Sequence, residues 1–275
     1  MPRILAISSY VASGHVGLAA IVPALQAMGN EVIAVPTVVL SCHYGHRHVG
    51  GVGIDAEGLD RMLDALWRNG SLDDIDAVIT GYMPDAEVVS RVAIELDRIA
   101  QTGRDILYLC DPVLGDDPGG LYVPDAVAGA IGERLIPFAD IVTPNRFELQ
   151  WLTGEPVGNA READVAADAI GADLVAATSI PASGDRLANV MSDATEAWQF
   201  PGPRLAGVPH GTGDLFAALL LGHRLAGNDN AQSVARAAAG ISHVIANSIG
   251  QAELALSSSL AGAVSALPAA AEPVA

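Results

Sequence analysis

Short runs rich in apolar and β-branched residues alternate along this chain with segments whose apolar residues recur at helical spacing. The runs span 3–9, 31–40, 77–82, 105–113, 140–144 and 174–179. Within them apolar residues occupy successive positions rather than every second one, as expected of strands covered on both faces. Between the second and third runs Leu59, Met62, Leu63, Leu66 and Trp67 make one helical face, and Asn69-Gly70 supplies a stop. Strands buried on both faces and separated by helices fold as a parallel sheet between helical layers, because each parallel crossover needs a long connection. Residues 189–200 differ: Ser192-Asp193-Ala194 separates two short β-like stretches, predicting a late hairpin at the sheet edge. The expectation is an α/β fold, mostly parallel, flanked by helices on both faces. It forms a single domain over 1–260, with a small glycine-bearing flap at about 40–53. The Ala-rich segment 261–275, with Pro268 and Pro273, offers no periodic face to bury and is expected to be a flexible tail.

Composition removes several function classes. The chain carries a formal charge of -18 over 275 residues and has no lysine, so the clustered positive charge that nucleic acid or an anionic membrane requires is missing. No stretch of about 18 residues is continuously apolar, which argues against a membrane span. The first seven residues lack the apolar core of a secretory signal and read as a first strand, so a cytoplasmic protein is expected. Cys42 and Cys110 have no metal-type spacing and form a poor disulfide framework in a chain of this length, so both are expected to be free thiols.

Ligands of open α/β sheets bind beyond the carboxyl ends of the strands. The polar motifs fall there repeatedly: Ser8-Ser9, Gly81-Tyr82, Asp111, Thr143-Pro144-Asn145 and Thr178-Ser179 each end a run. Gly211-Thr212-Gly213-Asp214 precedes the apolar run 215–221. Small residues opening a helix leave its first N–H groups free to bind an anion, and an aspartate on that turn is placed to take a proton from an attacking alcohol. Asp111-Pro112-Val113-Leu114-Gly115-Asp116 brings two carboxylates around a Pro/Gly loop. Such oxygen ligands, with the freedom of a loop, suit Mg²⁺ beside phosphates. In Thr143–Glu148 the pair Asn145 and Glu148 stands three residues apart at a helix start, which serves both a capping box and a carboxylate held toward a metal-bound water. Without lysine the P-loop is excluded. Ser13-Gly14-His15-Val16-Gly17 lacks the third glycine of the dinucleotide fingerprint, so no nicotinamide site is expected. The segment Cys42-His43-Tyr44-Gly45-His46-Arg47-His48 is dense in metal-type side chains. With Cys42 the sole nearby thiol and no evident fourth ligand, it reads better as a mobile polar flap between glycines than as a zinc site.

Taken in order, these motifs resemble the pyridoxal kinases of the ribokinase-like superfamily over nearly the whole chain. The likeness runs from Ala6–Val11 through Gly14–Gly17, Thr80–Tyr82, Asp111–Asp116, Leu121–Pro124, Thr143–Glu148 and Thr178-Ser179 to Gly211–Phe216. It implies ATP-dependent phosphorylation of the 5′-hydroxymethyl group of pyridoxal, and of pyridoxine and pyridoxamine. Asp214 matches the family's base, and Gly211, Thr212 and Gly213 match its anion hole. Asp116 and Glu148 match positions that hold Mg²⁺ directly or through water. Asp111, Thr143 and Thr178 match a monovalent-cation and phosphate neighbourhood, for K⁺ or Na⁺. Tyr122, Asn145 and Ser179 match nucleotide contacts, and Leu205, Ala206 and Gly207 fall where the adenine pocket is lined. Around the vitamin ring, Ser9 matches the serine that bonds the pyridine nitrogen or its neighbour, while Val16 and Tyr82 match the walls. His43 and Tyr44 belong to the flap, where the family commonly reads Ser-Asn-His-Thr and this chain reads Ser41-Cys42-His43-Tyr44; an aromatic position further on is held by His46 or Val49. The resemblance also implies a homodimer, with 35–40 as an interface edge. Two rivals share the fold: a hydroxymethylpyrimidine kinase, and a vitamin-binding protein that has lost turnover. Vitamer preference and the identity of the monovalent cation are left open by the sequence.

Overall fold

The computed structural model describes residues 1–274. Its central sheet has ten strands. Six of them run parallel in the order β2 (Glu31–Leu40), β1 (Arg3–Val11), β4 (Ala77–Thr80), β5 (Leu107–Cys110), β8 (Ile141–Val142) and β9 (Leu174–Ala182). Antiparallel strands close both edges. β3 (Gly51–Gly53) folds back on β2, and β10 (Arg186–Asp193), β11 (Ala197–Pro203) and β12 (Glu272–Pro273) extend the other side. The short strands β6 (Gly115–Asp116) and β7 (Gly120–Leu121) form a separate ribbon.

Burial on both faces follows from strict alternation within each strand. Ile4, Ala6, Ala77, Ile79, Leu109 and Ile141 face one core, packed under α1 (Leu18–Ala27), α7 (Thr212–Leu225), α8 (Asn230–Ser248) and α9 (Leu256–Val264). Leu5, Ile7, Val78, Tyr108, Cys110 and Val142 face the other, under α2 (Ala56–Arg68), α3 (Ala86–Ala100) and α4 (Asp125–Arg134). A smaller core lies between β9, β10, α5 (Arg146–Thr153) and α6 (Ala160–Ile170). α2 carries the expected apolar face and stops at Asn69, with Gly70 at φ 71°. Among the described residues no helix is long and apolar enough to cross a membrane.

Two expectations are corrected. The segment 261–275 is not a free tail over its described part. Residues up to Val264 complete α9, whose Ala263 is fully buried; Ala269 N–H donates to the Ala235 carbonyl, and β12 pairs Glu272 with Gln199. The periodic face missing from 261–275 belongs to a helix that begins at Leu256, and the two-residue strand is held by backbone pairing and one ion pair, Arg186 to Glu272 at 3.6 Å, which leaves no periodic pattern to read. For the same reason the late hairpin is not the sheet edge, since β12 lies outside β11.

Candidate active site

The amino end of α7 sits at the centre of the strand ends. Gly211, its N-cap, has φ 98°, and a Cβ there would lie 1.9 Å from the His15 carbonyl oxygen. Only glycine admits this approach. Gly17 is held as tightly, because its Cβ would meet the Ser9 carbonyl at 2.2 Å. The 14–17 turn is therefore pressed between the end of β1 and the start of α7. No side chain caps α7, so the Thr212 and Gly213 N–H groups remain available at the positive end of the helix dipole.

Asp214 lies on that first turn. Burial dominates and pushes its carboxylate up to about 6, against the lowering effect of the neighbouring Gly17 N–H and its own N–H. Across from it Gly81 leaves space, since a Cβ there would sit 2.5 Å from Ser8 Oγ and 3.9 Å from Asp214 Oδ1. Ser8, fully buried, fixes this wall by accepting the Tyr82 N–H at 3.2 Å. A carboxylate near neutrality, an open helix terminus and a glycine-lined gap are the parts needed to deprotonate an alcohol beside a bound phosphate.

Next to Asp214 the sheet collects further acids. Asp111, only 5 % exposed, accepts a hydrogen bond from Thr143 Oγ1 at 3.0 Å and is not the freely presented loop carboxylate the sequence suggested. Burial raises its pKa well above the carboxylate range, and the charges of Glu148 and Asp214 raise it further. Glu148 accepts from Leu114 N–H at 2.7 Å and Asn145 N–H at 2.8 Å, while Asn145 Oδ1 takes the Glu148 N–H in a complete capping box. Burial still lifts Glu148 to about 7, against those backbone bonds, with Asp116 adding to the rise. The capping and carboxylate readings of Asn145 and Glu148 thus hold together. Buried acids that raise one another make a cation-seeking donor set. This donor set would suit Mg²⁺ at Asp116 and Glu148, and because both Glu148 oxygens are engaged by backbone N–H groups, the part of Glu148 would be through water.

On the nucleotide side Thr178 bridges Asn145, its N–H donating to the Pro144 carbonyl at 2.9 Å. A bulge in β9 opposite Asn189 carries Thr178 and Ser179, and Ser179 is held at φ 61°. Val113 is also left-handed, at φ 43°. For a β-branched residue that conformation is strained, and it occurs where the chain leaves β5 for the Asp116 loop. Burial raises the Tyr122 phenol, and the neighbouring Asp116 carboxylate raises it further. Leu205, Ala206 and Gly207 lie exposed on the connection from β11 to α7, and no side-chain hydrogen bond joins them to the other expected site residues.

On the opposite side Ser9 is buried at the end of β1. Val16, Val49 and Tyr82 pack with Val11, Val38 and Leu40 into one apolar wall. The flap spans 41–50 between β2 and β3. It is pinned at its base, where Ser41 N–H donates to the Gly50 carbonyl at 2.7 Å, Gly50 N–H returns to Ser41 Oγ at 3.1 Å and Ser13 N–H reaches the Ser41 carbonyl at 2.9 Å. Tyr44 is 65 % exposed, with its ring centroid 6.5 Å from that of Tyr82. Gly17 and Ser8 join the site without having been singled out for it, although the glycine spacing 14–17 and the Ser-Ser strand end were visible. Glu253 reaches the flap from the distant 249–255 connection, and no local pattern marks it.

The phosphomethylpyrimidine kinase family matches residues 12–257. A pyridoxal kinase of Corynebacterium diphtheriae is 34% identical over 88% of this chain and 88% of its own length, and that of Bos taurus is 36% identical over 80% and 76%. The pyridoxal kinase of Leishmania donovani, solved with ADP and pyridoxine, superposes with a TM-score of 0.93 at 29% identity, covering 99% of both chains. That of Entamoeba histolytica gives 0.93 at 29% identity over 100% of both. The ribokinase-like α/β architecture is shared with the solved pyridoxal kinases, and the chain belongs to the pyridoxal kinase group of the phosphomethylpyrimidine kinase family.

Proposed function

We propose that this chain transfers the γ-phosphoryl group of ATP to the 5′-hydroxyl of pyridoxal, pyridoxine or pyridoxamine, releasing ADP and the vitamer 5′-phosphate. The observation that carries the reading is the Asp214 carboxylate, buried beside Gly17 on the uncapped first turn of α7 and raised to about 6. Asp214 takes the hydroxyl proton as the substrate oxygen bonds to the γ-phosphorus, and the bond from that phosphorus to the bridging oxygen of ADP breaks. The N–H groups of Gly211, Thr212 and Gly213 stabilise charge on the transferring group. Asp116 directly and Glu148 through water would hold Mg²⁺, which neutralises phosphate charge when bound. Asp111, Thr143 and Thr178 form the monovalent-cation neighbourhood. Tyr122, Asn145, Ser179 and the 205–207 connection hold the nucleotide. Ser9, Val16, Tyr82 and the flap residues His43 and Tyr44 hold the vitamer. The exposed β3 edge, with Val52 62 % exposed, supports a homodimer built along the β2–β3 side, and the chain works in the cytoplasm.

Initial rates of ATP consumption with Mg²⁺, measured side by side on pyridoxal, pyridoxine, pyridoxamine and hydroxymethylpyrimidine, test this. Turnover should appear with at least one of the first three and be lost on chelation. Preference for hydroxymethylpyrimidine would reassign the substrate, and tight vitamer binding without turnover would reject the kinase reading for this chain.

A further inference from the structure

Three segments far apart in sequence bring imidazoles and a carboxylate together beside the flap. His43 and His46 come from the flap, His210 from the residue before the anion hole, and Glu253 from the connection between α8 and α9. His46 Nε2 lies 2.9 Å from Glu253 Oε1 and His43 Nε2 lies 3.8 Å from the same oxygen. One ligating atom each from His43, His46 and Glu253 falls within 4.8 Å of the others. The His210 ring centroid is 4.5 Å from that of His43. The second carboxylate oxygen, Glu253 Oε2, is buried with no hydrogen-bond partner among the described residues. Gly14 makes the room for it, since a Cβ there would meet Oε2 at 2.7 Å.

A buried carboxylate oxygen without a donor is costly, and a cation relieves that cost. Two imidazoles on the same side select the cation. Hard Mg²⁺ or Ca²⁺ prefers oxygen, whereas zinc takes histidine nitrogen and carboxylate oxygen at roughly 2.0–2.2 Å. Tetrahedral bonds of that length set ligand atoms about 3.3 Å apart, a spacing that 2.9 and 3.8 Å bracket. We propose that His43, His46 and Glu253 form a zinc-class divalent metal site, with His210 or water completing a tetrahedron, which fastens the flap to the 249–255 connection.

Loading the site has one identifiable local cost. Gly45 N–H donates to His43 Nδ1 at 3.1 Å, so Nε2 carries the proton in the metal-free ring. Coordination through Nε2 moves that proton to Nδ1, and the Gly45 N–H, which is exposed, turns to water. The metal would then hold in one place the strip that carries Tyr44, acting on access to the vitamer pocket rather than on phosphoryl transfer.

The test uses the full chain without nucleotide, stripped with chelator and then titrated with Zn²⁺ by calorimetry. Millimolar Mg²⁺ is kept present to occupy oxygen-only sites. One equivalent should bind, and Co²⁺ in its place should give the intense visible bands of tetrahedral coordination. H46A and E253Q should each weaken Zn²⁺ binding by at least the roughly ten-fold that loss of even an outer partner costs a metal site. Arg47 is the flap's one trypsin site, so Zn²⁺ should slow cleavage after Arg47 in the parent chain and leave E253Q unprotected. Absence of stoichiometric binding, or binding and protection that both variants retain, would overturn the site. Circular dichroism of the variants separates ligand loss from misfolding, and neither readout depends on which vitamer is phosphorylated.

Discussion

The two halves of the active site are built to different standards of rigidity. On the phosphoryl side, backbone meets backbone at distances that admit no side chain: Gly211 against the His15 carbonyl, Gly17 against the Ser9 carbonyl, and Glu148 held by the N–H groups of Leu114 and Asn145. On the vitamer side the same pocket is bounded by a ten-residue flap whose aromatic tip, Tyr44, is mostly in solvent. On the proposed assignment the chemistry sits where position is over-determined, and recognition where the chain can change residues without disturbing the core. This division explains how Ser41-Cys42-His43-Tyr44 can depart from the family's usual spelling while Gly211–Asp214 does not.

The sharpest way to break the rigid half is to remove its base. Asp214→Asn keeps shape and loses proton acceptance, so kcat should fall by about 10²–10⁴-fold, while nucleotide affinity measured by calorimetry changes by less than about two-fold. Retained turnover would remove Asp214 from the role of base. A smaller but still large effect is expected from Gly211→Ala. The added Cβ would lie 1.9 Å from the His15 carbonyl at φ 98°, so the turn must move. Gly207→Ala is the control: it also has positive φ, at 68°, but nothing lies within 4 Å of its Cβ position. The control should cost about 1 kcal/mol or roughly 2–4 °C in Tm. Gly211→Ala should cost clearly more and also reduce kcat, and equal shifts in a thermal melt would show that the close approach is not what constrains this turn.

Titration sharpens the comparison further. Asp214 must be ionised to accept a proton, so kcat/KM should climb about ten-fold per pH unit below about 6 and level off above it. A controlling pKa near the ordinary 3.8 would mean that the carboxylate is not buried in the working enzyme. The sign for stability is the reverse of the usual salt-bridged acid. Glu148 is raised from 4.5 to about 7, so the folded chain binds more protons than the unfolded one in that window, and stability without cation should decline as pH rises through it. Mg²⁺ offsets that loss only where the acids are ionised. Its effect on Tm should be larger at about pH 8 than at about pH 5.5, and a pH-independent effect would count against Glu148 as part of the cation's surroundings.

What could be read from the chain follows the same division. Strand Glu31–Leu40 matches the apolar, β-branched run 31–40 at both ends, interrupted only by Pro36 and Thr37, and the motifs at the strand ends lie on the side of the candidate site. Their mutual contacts were not legible in the same way. Asp111 reads as a loop carboxylate but is buried against Thr143, because a sequence does not show how deep a strand end lies in the sheet. β12 is held by backbone pairing and the distant Arg186–Glu272 ion pair, and Glu253 meets His46 across 207 positions. Neither leaves a local pattern. The positive φ of Val113 and Ser179 is likewise invisible, since neither residue type announces it.

The smallest effect expected is at the flap, where it discriminates best between recognition and chemistry. Tyr44 lies beside Tyr82, with ring centroids 6.5 Å apart, and burial and that neighbour raise the Tyr82 phenol. Tyr44→Phe removes one exposed hydroxyl and should change KM for a vitamer by only about two- to five-fold, near 0.5–1 kcal/mol. Tyr44→Ala removes the ring as well. Because the ring stands over the wall made by Val16, Val49 and Tyr82, its loss should reorder the KM values for pyridoxal, pyridoxine and pyridoxamine while kcat stays within about two-fold. A fall in kcat for all three vitamers would place Tyr44 in the transition state. The flap would then share in positioning the hydroxyl over Asp214, and the separation between a rigid chemical half and a replaceable recognition half would fail at this residue.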